Sequence, residues 1–312
     1  MYEFNKPQQF YMSTEEQIVY FDNKALKEKT TNNLKSLRTF SDKEYFQKNI
    51  RVFLIKKLDL LKNDFWRKFR QDIFNHIRNH TYVVVRGLPF DGNNRLSVAL
   101  ASIIGIPEVQ YNKPRPKIVR RFGPTTGYGY DENYPHTDSV YWPNPTDLLA
   151  LQCVREDQNG LGKSRIVPID LLMKKLSEQT NGIVNILFKQ KVPFTLDTRF
   201  GKTGMHMQYI LTRKKYASKY YCQVRFLEND IKECITNFHV RLSKSVLDAI
   251  KTFEKEAIML GKKTEFLAKK GDWVIFDNKR SLHSRSPVSS NSVRILKRIK
   301  IDINRKNLYN SQ

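Results

Sequence analysis

Two side chains with metal-binding chemistry stand close together in the sequence, at His136 and Asp138. We predict a strand over residues 136–142, and side chains two residues apart on a strand point to the same face. One imidazole and one carboxylate placed in this way supply two neighbouring ligands for a divalent cation, which needs a third donor from elsewhere in the chain. His283 is the best candidate for that donor. A histidine and an aspartate at this spacing also occur by chance, and the pair fits a hydrogen-bonded surface couple equally well.

Two arginines four residues apart, Arg294 and Arg298, follow His283 in a segment whose odd-numbered positions are mainly apolar. On a strand this spacing puts both guanidinium groups on one face, with Leu296 between them. If that face is interior, the two buried cations demand anions, and arginine is well suited to bidentate recognition of carboxylates. If the face points to solvent, the two arginines are ordinary exposed surface residues. The segment alone leaves both alternatives open.

Two histidines and one carboxylate with open coordination positions are the arrangement used by non-haem Fe(II) oxygenases. The motifs of this chain, taken in order, resemble the taurine dioxygenase and clavaminate synthase-like family of Fe(II)- and 2-oxoglutarate-dependent oxygenases. These motifs are VVVRGLP at 83–89, HTD at 136–138, PTDLLAL at 145–151, GD at 271–272, DN at 277–278, HSR at 283–285, Arg294 and Arg298. The resemblance covers residues 80–303, with a poorly matched stretch at 172–270.

The resemblance implies roles for individual residues. By it, His136, Asp138 and His283 bind Fe(II) and leave open sites for 2-oxoglutarate and dioxygen. The distal carboxylate of the cosubstrate 2-oxoglutarate pairs with Arg294, and Ser164 assists. Related halogenases replace the carboxylate ligand with a small side chain, whereas Asp138 is intact, so hydroxylation is favoured over halogenation. Desaturation and cyclisation would use the same three ligands and stay open.

The substrate class rests on fewer residues. Arg298 matches a position that binds an acidic group of the substrate in some relatives. The resemblance therefore implies a small, anionic or zwitterionic substrate with a carboxylate, such as an amino acid or a natural-product intermediate. Glu228 and Asp230 are candidates for binding a substrate amine, because they lie near the place where amino-acid hydroxylases do so. They do not match that pattern cleanly, since Leu227 and Asn229 occupy the expected positions, and this disfavours a free cationic amino acid.

The elements that must position these residues are predicted to form an α+β fold. Helical spacing of apolar residues predicts an N-terminal helical region over residues 1–80, packed on the core. A β-branched run predicts a buried strand at 81–87, and an apolar run ended by glycine and proline predicts a helix at 95–104. Short strand-like runs then recur at 136–142, 147–155, 164–169, 221–226, 273–276 and 293–303. Their spacing fits a β sandwich or barrel, and the resemblance implies a double-stranded β-helix (jelly-roll) core with flanking helices over 81–312.

A Pro-, Gly- and Tyr-rich segment predicts a long loop at 113–135, around one strand at 118–122. Long loops of this kind often carry function. This loop and the segment 199–221 are candidates for a lid over the site, and we predict a lid or insertion around 172–270.

Composition limits the remaining function classes. The chain has 312 residues, of which 40% are apolar, and this excludes disorder throughout. No apolar run approaches the length of a membrane span and no secretory signal is visible, so we expect no membrane partner. Three cysteines, Cys153, Cys222 and Cys234, form neither a disulfide framework nor a metal-binding knuckle, which favours a reducing cytoplasm.

The formal net charge of +24 favours acidic partners, although a solvated basic surface accounts for it without any partner. Residues 213–221 interleave cations with aromatic side chains, as surfaces that bind single-stranded nucleic acid do. One alternative is therefore a nucleic-acid-binding protein on an oxygenase-like fold, but a recognised module signature is missing from the sequence. Another is the same oxygenase acting on a substrate tethered to an acidic carrier protein, which a basic rim would complement.

Overall fold

The structure is a computed structural model, and it describes residues 17–45, 47–107, 130–179, 182–198, 201–216, 218–290, 292 and 294–310. Over these ranges the fold is a mixed α+β fold. The helices are α1 (Lys24–Lys35), α2 (Asp42–Tyr45), α3 (Lys48–Lys57), α4 (Asp64–His80), α5 (Arg95–Ile104), α6 (Ile169–Gln179), α7 (Ile183–Lys189), α8 (Glu228–Asn237), α9 (Lys244–Lys263) and α10 (Arg305–Asn310). The strands are β1 (Ile18–Tyr20), β2 (Tyr82–Arg86), β3 (Ile106–Pro107), β4 (Asn133–His136), β5 (Leu148–Arg155), β6 (Ser164–Pro168), β7 (Lys191–Thr198), β8 (Gly201–Tyr209), β9 (Leu211–Tyr216), β10 (Lys219–Val224), β11 (Trp273–Asp277), β12 (Ser281–Arg285) and β13 (Ile295–Asp302).

The larger sheet has six strands in the order β1-β2-β11-β5-β13-β3. β1 pairs with β2 in parallel, and the other neighbours pair antiparallel. Strand β2 contains three consecutive valines, all fully buried. Successive side chains of a strand point to opposite faces, so a strand that is buried at every position is covered on both sides. The large sheet therefore lies between two apolar layers.

Helices from the N-terminal part of the chain cover one face of the large sheet. Helix α4 begins after Asn63, whose side chain accepts a hydrogen bond from the backbone N–H of Phe65 at 2.8 Å. The buried residues of α4 recur at the spacing of an amphipathic helix: Trp66, Phe69, Ile73, Phe74 and Ile77. They share one apolar cluster with α5 and with Val83 and Val85 of β2. This layer supports the sheet that carries β13.

The smaller sheet has three antiparallel strands in the order β4-β12-β6. Ile166 of this sheet belongs to the same apolar cluster as Leu149, Phe276 and Leu296 of the large sheet. The inner faces of the two sheets therefore pack against each other, with β13 of one sheet facing the smaller sheet.

Two antiparallel hairpins, β7–β8 and β9–β10, pack with α6, α7, α8 and α9. Their shared apolar cluster includes the rings of Phe194, Phe226 and Phe253. Most of this part of the chain falls in the range 172–270. Its contacts do not test the predicted lid or insertion, which stays a prediction.

The structure confirms the helix predicted at 95–104. It also confirms six strand predictions, with ends that differ by up to two residues: 81–87, 147–155, 164–169, 221–226, 273–276 and 293–303. The strand predicted at 136–142 is wrong, because β4 ends at His136 and residues 138–141 form a turn. Most of the loop predicted at 113–135, including its strand at 118–122, lies outside the described residues.

A buried ionic cluster ties α10 to the end of β11. The guanidinium of Arg305 donates to both carboxylate oxygens of Asp277, at 2.6 and 3.0 Å, and to Asp147 at 2.6 Å. Lys279 donates to the same oxygen of Asp147 at 2.7 Å. Burial alone would raise the pKa of Asp147, but Arg305 and Lys279 lower it overall. The cluster fixes the turn that begins at Asp277.

Replacement of Arg305 by alanine is expected to lower the free energy of unfolding by about 3–5 kcal/mol, because it leaves two buried carboxylates with too little positive charge. Urea unfolding followed by circular dichroism measures this loss. Lys306→Ala is the matched control, since Lys306 is the exposed neighbour and should change stability by no more than about 0.5 kcal/mol. An equal loss in the two variants would contradict a structural role for the cluster.

Candidate metal centre

The paired strands β4 and β12 bring the predicted metal ligands together. His283 is the register partner of His136, and the centroids of the two rings are 4.1 Å apart. Oδ1 of Asp138 lies 3.8 Å from Nε2 of His136 and 3.9 Å from Nε2 of His283. Each residue offers one ligand atom, and these atoms all lie within 4.8 Å of one another. No other such group of three or more His, Cys, Asp or Glu side chains is found among the described residues.

The imidazole of His136 is oriented by the backbone of Tyr134. Nδ1 of His136 lies 2.8 Å from the carbonyl oxygen of Tyr134, so we assign the proton to Nδ1, which donates to that oxygen. Nε2 then keeps its lone pair on the side of Asp138. Metal-binding histidines commonly have such a carbonyl partner. Two imidazole nitrogens and one carboxylate oxygen, arranged in this way, fit a divalent transition metal.

Asp138 is held in place by Asn278, a fully buried residue of the turn after β11. The side-chain oxygen of Asn278 accepts a hydrogen bond from the backbone N–H of Asp138 at 2.8 Å. Its amide nitrogen donates to the backbone carbonyl oxygens of Asp138, at 3.0 Å, and of Thr146, at 3.1 Å. The hydrogen bonds of Asn278 therefore hold Asp138 in a turn, where its carboxylate faces His136. The sequence suggested a different cause, namely that the two residues alternate along one strand. The sequence alone assigns Asn278 no role of its own, although Asn278 belongs to the DN motif that contributes to the resemblance.

Positive charge surrounds the carboxylate of Asp138. Oδ1 faces the two imidazoles, whereas Oδ2 accepts a hydrogen bond from Nη1 of Arg298. Burial alone would raise the pKa of Asp138, but the cations Arg298 and Lys300 help to lower it well below its usual range. The carboxylate is therefore ionised at neutral pH, as a metal ligand must be.

Strand β13 and the residue just before it present a row of side chains to the space between the two sheets. The row consists of Arg294, Leu296, Arg298 and Lys300. Lys297 lies on the other face, where its Nζ donates to the carbonyl oxygen of Gly92. Of the two alternatives that the sequence left open for this segment, the structure supports the interior one. The alternation also includes Lys300, which the sequence analysis did not single out.

Arg294 is a buried cation beside a hydroxyl group. Its guanidinium donates to Oγ of Ser164 at 3.3 Å, so the structure brings together the two residues predicted to bind 2-oxoglutarate. Burial lowers the pKa of Arg294 to about 10. Within the described part of the chain, Arg294 forms no ion pair with a carboxylate. A buried guanidinium of this kind is a binding site for an anionic group.

Glu228 and Asp230 lie in the first turn of α8, and both are buried. Glu228 forms an ion pair with Lys232 on the same helix. Oδ2 of Asp230 accepts a hydrogen bond from the backbone N–H of Thr195 at 2.9 Å. These contacts are structural, and the predicted part of Glu228 and Asp230 in substrate binding stays a prediction.

The chain belongs to a known enzyme family. The family model described as taurine catabolism dioxygenase TauD, TfdA family matches residues 55–300, and the chain is a member of that family. The predicted resemblance is thereby confirmed. No curated protein matches the chain. None of the described helices combines the length and the apolar character that a membrane crossing requires.

Solved structures of oxygenases share the fold. The protein is similar to asparagine oxygenase in complex with Fe(II), 2S,3S-3-hydroxyasparagine and succinate, with a TM-score of 0.70 and 15% identity over 91% of this chain and 93% of that chain. It is also similar to the non-heme iron oxygenase OrfP in complex with Fe and alpha-ketoglutaric acid, with a TM-score of 0.64 and 15% identity over 91% of this chain and 93% of that chain. For OrfP in complex with Fe, succinate and (3S)-hydroxy-L-Arg, the TM-score is 0.62 and the identity 15%, over 93% of this chain and 96% of that chain. At this identity the likeness concerns the fold.

Replacement of Asn278 by alanine is expected to weaken the binding of Mn(II) by about 10–100-fold, because Asp138 loses the clamp that aims its carboxylate. Calorimetric titration of the purified variant measures the affinity, and circular dichroism checks that the variant is folded. Asn237→Ala, at the exposed end of α8, is the control and should bind Mn(II) like the wild type. Unchanged affinity in folded Asn278→Ala protein would contradict the assigned role.

Proposed function

We propose that this protein is an Fe(II)- and 2-oxoglutarate-dependent oxygenase that hydroxylates an unactivated C–H bond. The observation that carries the proposal is the convergence of His136, Asp138 and His283 between two sheets that also enclose the buried cation Arg294. Membership of the dioxygenase family supports it. The similar oxygenase structures support it further, because they contain iron, succinate and a hydroxylated amino acid.

In this proposal Nε2 of His136, Nε2 of His283 and Oδ1 of Asp138 hold Fe(II). When bound, the ion supplies the redox chemistry by which dioxygen attacks a C–H bond. In the overall reaction, 2-oxoglutarate, dioxygen and the substrate R–H are converted to succinate, CO2 and the hydroxylated product R–OH. The protein orients the reactants and excludes water from the site. The ring of Phe276 packs at 4.9 Å from that of His283, and Leu296 separates Arg294 from Arg298, so apolar groups limit access of water to the site.

Arg294 and Ser164 are assigned to the distal carboxylate of 2-oxoglutarate. A guanidinium buried without a carboxylate partner among the described residues is unfavourable in isolation, and a bound carboxylate would offset this cost. The hydroxyl of Ser164, 3.3 Å from Arg294, can donate to the same carboxylate.

Arg298 is assigned to an acidic group of the substrate. Its guanidinium contacts Oδ2 of Asp138, the carboxylate oxygen that faces away from the two imidazoles. A substrate carboxylate bound by Arg298 would thus lie beside the metal ligands. The proposed substrate is small, anionic or zwitterionic, and bears a carboxylate, as an amino acid or a natural-product intermediate does. The contacts of Glu228 and Asp230 give these two residues no part in this proposal.

We also propose that the two packed sheets form a double-stranded β-helix (jelly-roll) core within residues 81–312. The apolar cluster that both sheets share supports this arrangement. Residues 1–80 would be a helical region packed on the core, and 172–270 a lid or insertion. The three cysteines are buried thiols, which fits the reducing cytoplasm that we propose as the location.

The nucleic-acid alternative finds less support in the contacts. In the basic and aromatic segment at 213–221, the rings of Tyr216 and Tyr221 pack on that of Tyr309 at 4.8 and 4.2 Å. Rings packed in this way are not accessible to nucleic-acid bases. In the same segment, the ring of Tyr220 is 69% exposed and stays accessible. Presentation of the substrate on an acidic carrier protein would use the same catalytic residues.

The direct test of the proposal is succinate release from 2-oxoglutarate by protein supplied with Fe(II), dioxygen and a panel of free or carrier-bound carboxylic acids. The wild type is expected to release succinate with at least one acid, and Asp138→Ala to fall to background, because the metal loses its anionic ligand. Asp248→Ala, on the exposed side of α9, is the matched control and should keep the wild-type rate. Wild-type rates in Asp138→Ala, or a wild type that neither binds metal nor releases succinate, would contradict the proposal.

Two glycines offer a matched test of the 2-oxoglutarate site. Gly160 and Gly162 have similar left-handed backbone angles, with φ of 70° and 68°. A Cβ at Gly162 would lie 2.6 Å from Cγ1 of Val288 and 2.9 Å from Cδ of Arg294, whereas a Cβ at Gly160 would meet no atom within 4 Å.

Both alanine variants therefore carry the same backbone strain, and only Gly162→Ala is expected to displace Arg294. We expect Gly162→Ala to raise the KM for 2-oxoglutarate by roughly 10–100-fold, since a misplacement of about 1 Å can cost this much. Saturating cosubstrate should restore most of kcat. Steady-state kinetics of both variants measures the difference, and an equal KM in Gly160→Ala and Gly162→Ala would refute the placement of 2-oxoglutarate at Arg294.

A further inference from the structure

Asp157 is a buried carboxylate that joins two loops beside Arg294, the loop of residues 157–163 and the loop of residues 286–290. Its side chain is 1% exposed. In its own loop, Oδ1 accepts hydrogen bonds from the backbone N–H of Asn159 at 2.9 Å and of Leu161 at 3.3 Å. In the other loop, Ser289 donates its backbone N–H to Oδ2 at 3.1 Å and its hydroxyl to Oδ1 at 2.8 Å. Neither the metal ligands nor the residues assigned to 2-oxoglutarate include Asp157.

One route of hydrogen bonds leads from Asp157 to the backbone of Arg294. The carbonyl oxygen of Ser289 accepts a hydrogen bond from the backbone N–H of Ser292 at 2.9 Å. The hydroxyl of Ser292 in turn accepts a hydrogen bond from the backbone N–H of Arg294 at 3.2 Å. This hydroxyl also hydrogen-bonds the carboxylate of Asp157. The residue that enters β13 is therefore tied to Asp157 through two serines.

A second route leads to the side chain of Arg294. The loop that Asp157 holds at Leu161 continues into Gly162, whose backbone N–H donates to the carbonyl oxygen of Pro287 at 2.8 Å. Gly162 lies against the arginine, since a Cβ at this position would be 2.9 Å from Cδ of Arg294. Both the backbone and the aliphatic part of Arg294 thus lie against loops that Asp157 joins.

We propose that Asp157 is a positioning residue for 2-oxoglutarate, because it holds the two loops so that the guanidinium of Arg294 can meet the distal carboxylate of the cosubstrate. This inference rests on the proposed function and adds a residue to it. Burial alone would raise the pKa of Asp157, but hydrogen bonds from Ser292 and Ser289 help to lower it to about 2. The carboxylate is therefore ionised at neutral pH, and hydrogen bonds to an ionised acceptor are stronger than those between neutral groups.

Asp157 could instead act on Arg294 through its charge alone, and the two roles have opposite consequences. A carboxylate near Arg294 competes with that of 2-oxoglutarate, so removal of its charge would tighten the binding of the cosubstrate. Loss of the loop hydrogen bonds would displace Arg294 and weaken that binding. Asp157→Asn keeps the size of the side chain, removes the charge and leaves a single oxygen to accept hydrogen bonds. The direction of its effect therefore distinguishes the two roles.

The experiment measures dissociation constants by calorimetry, with anaerobic protein loaded with Mn(II) and with two ligands, 2-oxoglutarate and oxalate. Oxalate binds a metal through two oxygens, as the 2-oxo acid group does, but it has no distal carboxylate. Asp157→Asn is expected to bind 2-oxoglutarate about 10-fold more weakly, with the binding of oxalate unchanged, because Arg294 is misplaced and the metal ligands are not. Ser289→Ala removes one hydrogen bond of the same set and should weaken the binding of 2-oxoglutarate about 3-fold.

Asp91→Asn is the matched control for a general loss of stability. Asp91 is 3% exposed and likewise accepts hydrogen bonds from two backbone N–H groups, those of Asn93 and Leu96, both at 3.1 Å. It precedes α5, in the layer that covers the other face of the large sheet. This variant should bind both ligands like the wild type, even where it is less stable.

Unchanged or tighter binding of 2-oxoglutarate by folded Asp157→Asn, or an equal weakening of 2-oxoglutarate and oxalate, would overturn the assigned role. If Asp157→Asn does not fold, the same outcomes in Ser289→Ala decide the question. Binding of 2-oxoglutarate to the wild-type Mn(II) protein is measured first. Failure at that step would count against the proposed function itself, whereas normal binding by the wild type without a selective loss in the variants would count against this inference alone.

Discussion

The antiparallel pairing of β4 with β12 decides whether the two histidine ligands of the metal centre can meet. In this register His136 lies opposite His283, although the two residues are far apart in the sequence. A shift of one residue would turn an imidazole to the other face of the sheet, because side chains alternate along a strand. Pairing of β12 with β6 on its other side, and a hydrogen bond of 2.9 Å from Arg285 to the carbonyl oxygen of Asp131, hold this register. Backbone pairing thus places the two histidine ligands opposite each other.

Two buried arginines show how the same residue type serves stability in one place and binding in another. Arg305 is surrounded by Asp277 and Asp147; burial alone would lower its pKa, but these carboxylates raise it well above the usual value. Arg294 is equally buried but only donates to a hydroxyl among its described contacts, and its pKa falls to about 10. The first arrangement stabilises the fold, whereas the second leaves a charge whose burial is costly until an anion binds. This contrast is the physical argument for a ligand at Arg294.

Much of the site could be predicted from the sequence, because its residues carry rare chemistry at defined spacings. His136, Asp138 and His283 do meet, but the reason given for Asp138 was wrong, since a turn clamped by Asn278 positions it. Helices and buried strands were predictable from apolar periodicity, as in α4 and β2. Strand β12 was missed because its sequence, SLHSR, is polar and owes its pairing to tertiary context. The contact of Asp230 with the backbone of Thr195 joins residues that are far apart in the sequence, so no local pattern reveals it.

One ferrous ion and one 2-oxoglutarate are expected to bind together at the three converging ligands. Anaerobic titration of the wild-type protein with Fe(II), in the presence of 2-oxoglutarate, tests it most directly through the visible charge-transfer absorption of the chelate. The expected result is a band that requires both components and saturates at one iron per chain. Absence of the band at saturating Fe(II) and 2-oxoglutarate, or a band that the cosubstrate does not affect, would contradict it.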